Sequence, residues 1–173
     1  MSKLELQTER LVLTPLGTRF LETVNEYAMD PENTTYMIHL PNRSSEETLE
    51  FLKAVDAEWA KTPPGFYEFA LLYQERHIVA ESIYPENGTA ELGWIVNRRY
   101  WGNGFAFEAA SAIVAYFSSH FGITKFVAHC DAENVASYKT MEKLGMQRMG
   151  VFPGRKNRSA VTESLEYQYE LFL

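Results

Sequence analysis

With one cysteine, Cys130, in 173 residues, the chain has no partner for an intrachain disulfide and no four-thiolate metal site. The four histidines, His39, His77, His120 and His129, do not fall at a spacing that metal ligands adopt. No run approaches the roughly 18 to 20 apolar residues that a membrane-crossing helix needs. Positive charge is scarce too: 16 Lys and Arg stand against 23 Asp and Glu, a formal net charge of -7. That balance argues against tracking a nucleic-acid backbone, which asks for a basic face. The start, Met1-Ser2-Lys3-Leu4-Glu5, puts no apolar stretch behind its lysine and does not read as a secretory leader. The expectation is a reducing, cytoplasmic setting with no metal, no membrane and no direct nucleic-acid partner.

Core-forming material is plentiful. Apolar residues make up 46% of the chain, with ten Tyr and eleven Phe, enough to bury a sizeable core in one domain. No repeat, low-complexity tract or linker divides it. Residues 9–14 read as a first strand stopped by Pro15, and 18–29 as a helix ending near Asp30-Pro31. Residues 30–43 are irregular, and a second helix starts after Ser44, where Ser44 and Glu47 form a capping box. Strands follow at 66–73, 77–84 and 89–96, the last two joined by a turn at 85–88 that carries Asn87-Gly88. A helix at 105–120, a strand at 124–130, a helix at 135–144 and strands at 146–152 and 162–172 complete the chain, with Gly145 at a helix C-cap. Early hairpins followed by strand–helix–strand units predict a mixed sheet with helices against it, in the α/β or α+β class.

The segment Asn97-Arg98-Arg99-Tyr100-Trp101-Gly102-Asn103-Gly104-Phe105-Ala106 places two glycines after a strand and at the opening of a helix. Backbone donors converge in such a turn and the helix dipole adds to them, which favours an anionic group. The alternative is a turn that merely reverses the chain. A nucleoside-triphosphate loop needs a Gly-Lys-Ser/Thr ending that is missing. A dinucleotide fingerprint needs a third small residue where Phe107 stands. What remains is a pyrophosphate seated on a strand–loop–helix of another fold.

Arg99-x-x-Gly102-x-Gly104-x-Ala106 resembles the pyrophosphate loop of the GNAT acetyltransferase superfamily. Asn134-Val135-Ala136-Ser137 and Glu142-Lys143-Leu144-Gly145-Met146 resemble that superfamily's later motifs, in order. Thr8-Glu9-Arg10-Leu11-Val12-Leu13 and Glu91-Leu92-Gly93-Trp94 look like the branch that acetylates the N-termini of ribosomal proteins. The resemblance implies one domain over residues 1–173, with a splayed central sheet and acetyl-CoA as cosubstrate. It further implies transfer to a primary amine, foremost the N-terminal amine of a protein or peptide. A small polyamine, amino sugar or antibiotic is the alternative acceptor, and a non-catalytic coenzyme-binding module is the alternative class. Monomer and homodimer both stay open.

On that resemblance, the pantetheine arm lies along Trp94, Ile95 and Val96, and Gly102, Asn103, Gly104, Phe105 and Ala106 form the pyrophosphate loop. Arg99 and Arg98 reach the phosphates or are ordinary surface charge, and Lys139 and Lys143 are candidates for the 3′-phosphate. Asn134 bonds the pantetheine or caps its helix, or does both. Many relatives keep a tyrosine seven residues after this asparagine, where the chain has Met141, which carries no acidic proton. The interaction with the leaving thiolate therefore passes to Ser137, with Tyr138 as alternative.

Direct transfer needs an unprotonated amine. Deprotonating a lysine-like amine at pH 7 costs about 4 to 5 kcal/mol, and an α-amine only about 1. Glu91, on the strand that feeds the glycine loop, is the candidate base, directly or through water; the alternative is a glutamate that meets solvent. Cys130 reads as a packed side chain rather than a nucleophile, and His129 beside it points to the opposite face. Arg155-Lys156-Asn157-Arg158 reads as a solvated loop. Trp59, Tyr67 and Tyr36-Met37-Ile38 line either a cleft or an aromatic core.

Overall fold

The computed structural model describes residues 3–173; Met1 and Ser2 of the expected 1–173 domain lie outside the described residues. The chain opens with β1 (Leu6–Gln7) and β2 (Leu11–Pro15), then a 3-10 turn at Thr18–Phe20 that runs into α1 (Leu21–Ala28). After α2 (Ser45–Trp59) come the antiparallel strands β3 (Tyr67–Tyr73), β4 (Arg76–Glu86) and β5 (Thr89–Val96). The rest is α3 (Phe105–Phe121), β6 (Lys125–Asp131), α4 (Val135–Lys143), β7 (Gln147–Arg155) and β8 (Ser164–Phe172). The strands form one eight-stranded mixed sheet in the order β1-β2-β3-β4-β5-β6-β8-β7. No helix among the described residues is long and apolar enough to cross a membrane.

Local chemistry accounts for most element ends. Ser44 Oγ accepts from Glu47 N–H (3.2 Å), while the Glu47 carboxylate reaches back to Arg43 N–H (2.8 Å), one residue short of the expected reciprocal cap. Asn87 and Gly88, at φ 51° and 80°, form a two-residue hairpin loop whose twist suits the flanking strands. Gln74 and Glu75, at φ 49° and 67°, do the same between β3 and β4 without a glycine. Pro15 ends β2 as its last paired residue, opposite Phe69, rather than standing beyond it. β1 carries too short a pattern to be anticipated. β7 outruns the expected end at residue 152, its register slipping between Phe152 and Arg155.

Strand alternation sends side chains to two cores. On one face Leu13, Phe69, Leu71, Val79, Ile83, Leu92 and Phe126 pack with Phe105, Ala109, Ile113 and Phe117 of α3. On the other, Leu16, Ala70 and Ala80 pack with Val24 and Tyr27 of α1 and Leu52 and Val55 of α2. The parallel pair β5–β6 is hydrogen-bonded from Thr89↔Lys125 to Leu92↔Ala128 and then divides. Beyond that point β5 stays on β4 as far as Val96↔Val79, and β6 stays on β8 as far as Asp131↔Glu166. The sheet therefore opens into a fork at its centre.

His77 ties α1 to the sheet. Its Nε2–H donates to Val79 O (3.0 Å), which leaves Nδ1 to accept from the Thr23 hydroxyl (2.8 Å). Burial at 2% exposure pushes its pKa down to about 4. Between pH 6.5 and 4 the unfolded chain takes up a proton that the folded chain refuses, so stability falls as the pH drops through that window. Urea unfolding at pH 7 and pH 4 should show the parent losing about 3 kcal/mol more than His77→Gln does.

Candidate active site

A cavity of about 550 Å³ occupies the fork. Its wall on one side is the splayed end of β5, with Trp94, Ile95 and Val96, and on the other the start of α4, with Asn134 and Ser137. Its base is the glycine loop Gly102, Asn103, Gly104, Phe105 and Ala106, and Asn33, Tyr36 and Met37 of the α1–α2 loop stand along its rim.

The loop is shaped to hold an anion. Gly102 and Gly104 adopt φ of +78° and +75°, a region that side chains rarely enter, and Gly104 is the N-cap of α3. A Cβ at Gly102 would meet nothing within 4 Å, and one at Gly104 only Arg10 Nη2 at 3.9 Å, so the space above the loop is open. The first turn of α3 closes with Glu108 N–H on Gly104 O (3.0 Å). The N–H groups of Phe105, Ala106 and Phe107 precede it and have no helical acceptor, so the positive end of the helix faces the cavity. Arg10 braces the arrangement from outside by donating to Asn103 O (2.9 Å), pairing with Glu108 (2.9 Å) and lying over the Phe105 ring.

Asn97 N–H donates to Ile78 O (2.8 Å), which by ladder alternation turns the peptide groups of Trp94 and Val96 away from β4 toward the fork. Asn33 Nδ2 and Trp101 Nε1 both donate to Val96 O (2.9 Å each). The carbonyl of Val96 is thus already engaged, while the N–H of Val96 and both peptide groups of Trp94 face the fork. Asn134 Oδ1 accepts from Ser137 N–H (3.3 Å), so the asparagine does cap α4 while also lining the cavity.

Several expected contacts lie elsewhere. Arg98 turns away from the loop to pair with Asp30 (2.5 Å) and Glu32 (3.3 Å), and its N–H donates to Asn33 Oδ1 (2.6 Å), which clamps the α1–α2 loop. Arg99 donates its N–H to Asn97 Oδ1 (3.1 Å), and its side chain does not line the cavity. Lys139 stands beside Glu142 (3.8 Å), and Lys143 lies over the ring of Phe107, at the margin of the site. Tyr138, one residue past Ser137, is rotated by about 100° on the helix and faces another way. Its ring packs 5.5 Å from Tyr167 and lines neither cavity. Trp59 and Tyr67 stack edge-on at 5.4 Å within the aromatic core, whereas Tyr36 and Met37 do border the site.

A second space of about 110 Å³ shares Tyr36, Met37, Trp94, Asn134 and Ser137 with the first, and adds Gly93, His129, Cys130, Met141 and Arg155. Burial pushes the Cys130 thiol up to about 11. A thiol so protonated is a poor nucleophile. Met141, one helical turn after Ser137, is buried against the same space.

Glu91, which lines neither space, bonds His129 at the edge of the second, Oε1 to Nδ1 at 3.1 Å. The bond to His129 holds the Glu91 carboxyl below its ordinary range despite partial burial. The same bond to Glu91 raises the imidazole above 6.5. The parallel register, which sets Glu91 beside Val127, brings the imidazole two residues further on within reach. Sequence reasoning assigned Glu91 alone; the signal for its partner was present in the alternation that turns His129 away from Cys130, combined with the parallel pairing.

Arg155 is not part of a solvated loop. Its side chain is 8% exposed and donates to Tyr36 O (2.7 Å), Asn157 Oδ1 (3.0 Å) and Glu166 (2.6 Å). Buried Asp131 accepts from Asn157 (2.6 Å) and Ser164 (2.5 Å) beneath it. Glu170 is likewise matched by Lys125 (3.2 Å), so the acids on this face of the sheet are largely paired.

Residues 10–147 match the sequence profile of the acetyltransferase (GNAT) domain family. The uncharacterized N-acetyltransferase YnaD of Bacillus subtilis (strain 168) is 30% identical over 155 residues, which cover 86% of each chain. A GNAT-family acetyltransferase from Bacillus anthracis is 26% identical in its crystal structure, with a TM-score of 0.81 over 98% of both chains. RimL, a ribosomal L7/L12 α-N-protein acetyltransferase solved with coenzyme A, shares the fold at a TM-score of 0.84 over 98% of both chains, at 13% identity.

Gly104→Val places a branched side chain in the open space over the loop, in a backbone conformation it resists. Calorimetry on the folded variant should show coenzyme A binding weakened by at least about tenfold, since one lost charge-assisted contact already costs more than about 1.4 kcal/mol.

Proposed function

The chain belongs to the GNAT acetyltransferase family, and from that premise we propose that it acetylates the α-amine at the N-terminus of a protein or peptide. Members of this family use acetyl-CoA as the acetyl donor. The residues at the fork fit that donor: the first turn of α3 has free N–H groups for a pyrophosphate, Trp94 has free peptide groups for the amides of the pantetheine, and Asn134 and Ser137 stand farther along the cavity. Ser137 is the hydroxyl placed to stabilise charge on the departing sulfur, with Met141 behind it.

The observation that carries the reading is the smaller space, which Ser137 and His129 line together while Glu91 holds the imidazole from outside it. Donor and acceptor can meet there without a covalent enzyme intermediate. The chemistry of the acceptor side favours an α-amine. Deprotonating it costs only about 1 kcal/mol near pH 7, within reach of a carboxylate–imidazole pair. The neighbouring acids Glu166 and Glu170 are already neutralised by Arg155 and Lys125, so no concentrated negative pocket awaits a polycation. RimL, which shares the fold, is itself an α-N-protein acetyltransferase.

A panel of free-N-terminus peptides, Nα-blocked lysine peptides, polyamines and amino sugars, assayed by mass spectrometry at pH 7.5, tests the acceptor. Free α-amines should be preferred by at least about tenfold in kcat/KM; a preference for a polyamine or amino sugar would replace this reading with the small-molecule one.

Ser137→Ala should lower kcat by about tenfold while leaving acetyl-CoA affinity within about twofold, because its contact strengthens as the thiolate develops. Steady-state rates and calorimetry on the same preparation separate the two effects.

A further inference from the structure

His129 has no part in the glycine-loop or asparagine motifs, yet it sits where β6 leaves β5, one residue past the last parallel pair Leu92↔Ala128. Its ring lines the small space that also holds Ser137, Gly93 and Trp94. We infer that His129, through Nε2, is the group that takes the proton from the acceptor amine, and that Glu91 is a positioning residue that holds its Nδ1–H. This rests on the amine-acetylation reading above and names the atom that performs its first step.

The geometry divides the work between the two residues. Glu91 Oε1 accepts from Nδ1–H at 3.1 Å, which fixes the tautomer and leaves the Nε2 lone pair to receive a proton. Within a hydrogen-bonded carboxylate–imidazole pair the proton settles on the stronger base. That base is the imidazole, since the pairing raises its pKa and lowers that of Glu91. The groups facing the ring favour its charged form. Glu91 approaches from β5, and Glu166 and Gln168 from β8. Gln168 commits its amide nitrogen to Glu170 (3.0 Å). Arg155 on β7 is spent on Glu166 (2.6 Å) and opposes that effect only in part. Tyr36 and Met37 of the α1–α2 loop bring no charge.

In the step itself an N–H bond of the substrate ammonium breaks and its proton passes to Nε2. The freed lone pair forms the new C–N bond to the thioester carbonyl, and the C–S bond breaks. The second ammonium proton, released as the amide forms, goes to the departing thiolate. His129 returns its proton to solvent.

The test uses the full chain, acetyl-CoA and a free-N-terminus peptide, with kcat/KM followed from pH 5.5 to 9.5. The parent should show an acidic limb with an inflection above 6.5. His129→Gln should lower the rate at pH 7 by at least about thirtyfold and recover at high pH, where free amine is abundant. Glu91→Gln should keep the limb but move its inflection down toward 6.5, as the imidazole loses its partner. NMR titration of the His129 ring should show the same downward move in Glu91→Gln, a readout independent of turnover. Calorimetry with acetyl-CoA verifies that both variants keep the donor site. An unchanged profile in folded His129→Gln, with the acidic limb abolished in Glu91→Gln, would overturn the assignment and make the carboxylate the base. If the parent acetylated no α-amine, the acceptor proposal would fail, while a His129 titration that did not respond to Glu91→Gln would separately sink the pair.

Discussion

Everything at the candidate site depends on β5 and β6 ceasing to pair after Leu92↔Ala128. Each strand is held past that point by its outer neighbour. β5 follows β4 to Val96, and β6 follows β8 to Asp131. The ends are also pinned: Asn33 and Trp101 bond Val96 O, and Asn157 and Ser164 bond buried Asp131. A gap in the middle of a sheet exposes backbone groups that must find partners, at a cost of about 1 to 3 kcal/mol each if they fail. A ligand with amides of its own, laid along the gap as proposed, would meet that requirement.

The same gap adjoins two unlike environments. From the α3 side comes a helix N-terminus with free N–H groups and positive potential. From the α1–α2 side comes the Glu91–His129 pair, with its neighbouring acids matched by basic side chains. The α1–α2 loop closes the rim and is fastened at both ends. Arg98 and Asn33 hold it to the end of β5, while Arg155 and Arg158 bond the carbonyls of Tyr36 and His39. Basic residues that read as surface charge in a linear sequence are thus the fastenings of this loop. Their partners, Asp30 and the carbonyls of the loop, lie 68 and 119 residues away.

That distance explains what the sequence could and could not disclose. The mixed sheet, the four helices and the glycine loop were legible because their signals are local: alternation, a capping serine, and glycines ahead of a helix. Motif order singled out Asn134 and Ser137, and both line the cavity. Tyr138 was misplaced because sequence proximity to Ser137 does not fix the helix face, and its ring joined Tyr167. Arg98 and Arg155 were misjudged because their pairing is tertiary. His129 lay between the two cases. Its face followed from alternation, but its partner followed only from the parallel register, which no local pattern encodes.

The pattern of investment around the reacting point follows the chemistry. A thiolate whose acid has a pKa of about 8.5 leaves without a strong proton donor, so the role proposed for Ser137 asks for no acidic side chain at 141. An ammonium near neutral pH is mostly protonated and cannot attack, so the acceptor side needs a base matched to that pH. A carboxylate alone, with its pKa lowered by a cation, would be a weak one. The same contact raises the imidazole, which makes the ring the stronger base of the two. One hydrogen bond of 3.1 Å moves the two groups in opposite directions and places the basicity on the ring. The chain has thus dispensed with an acidic residue at position 141, where proton transfer is easy, and kept a coupled pair at 91 and 129, where it is hard.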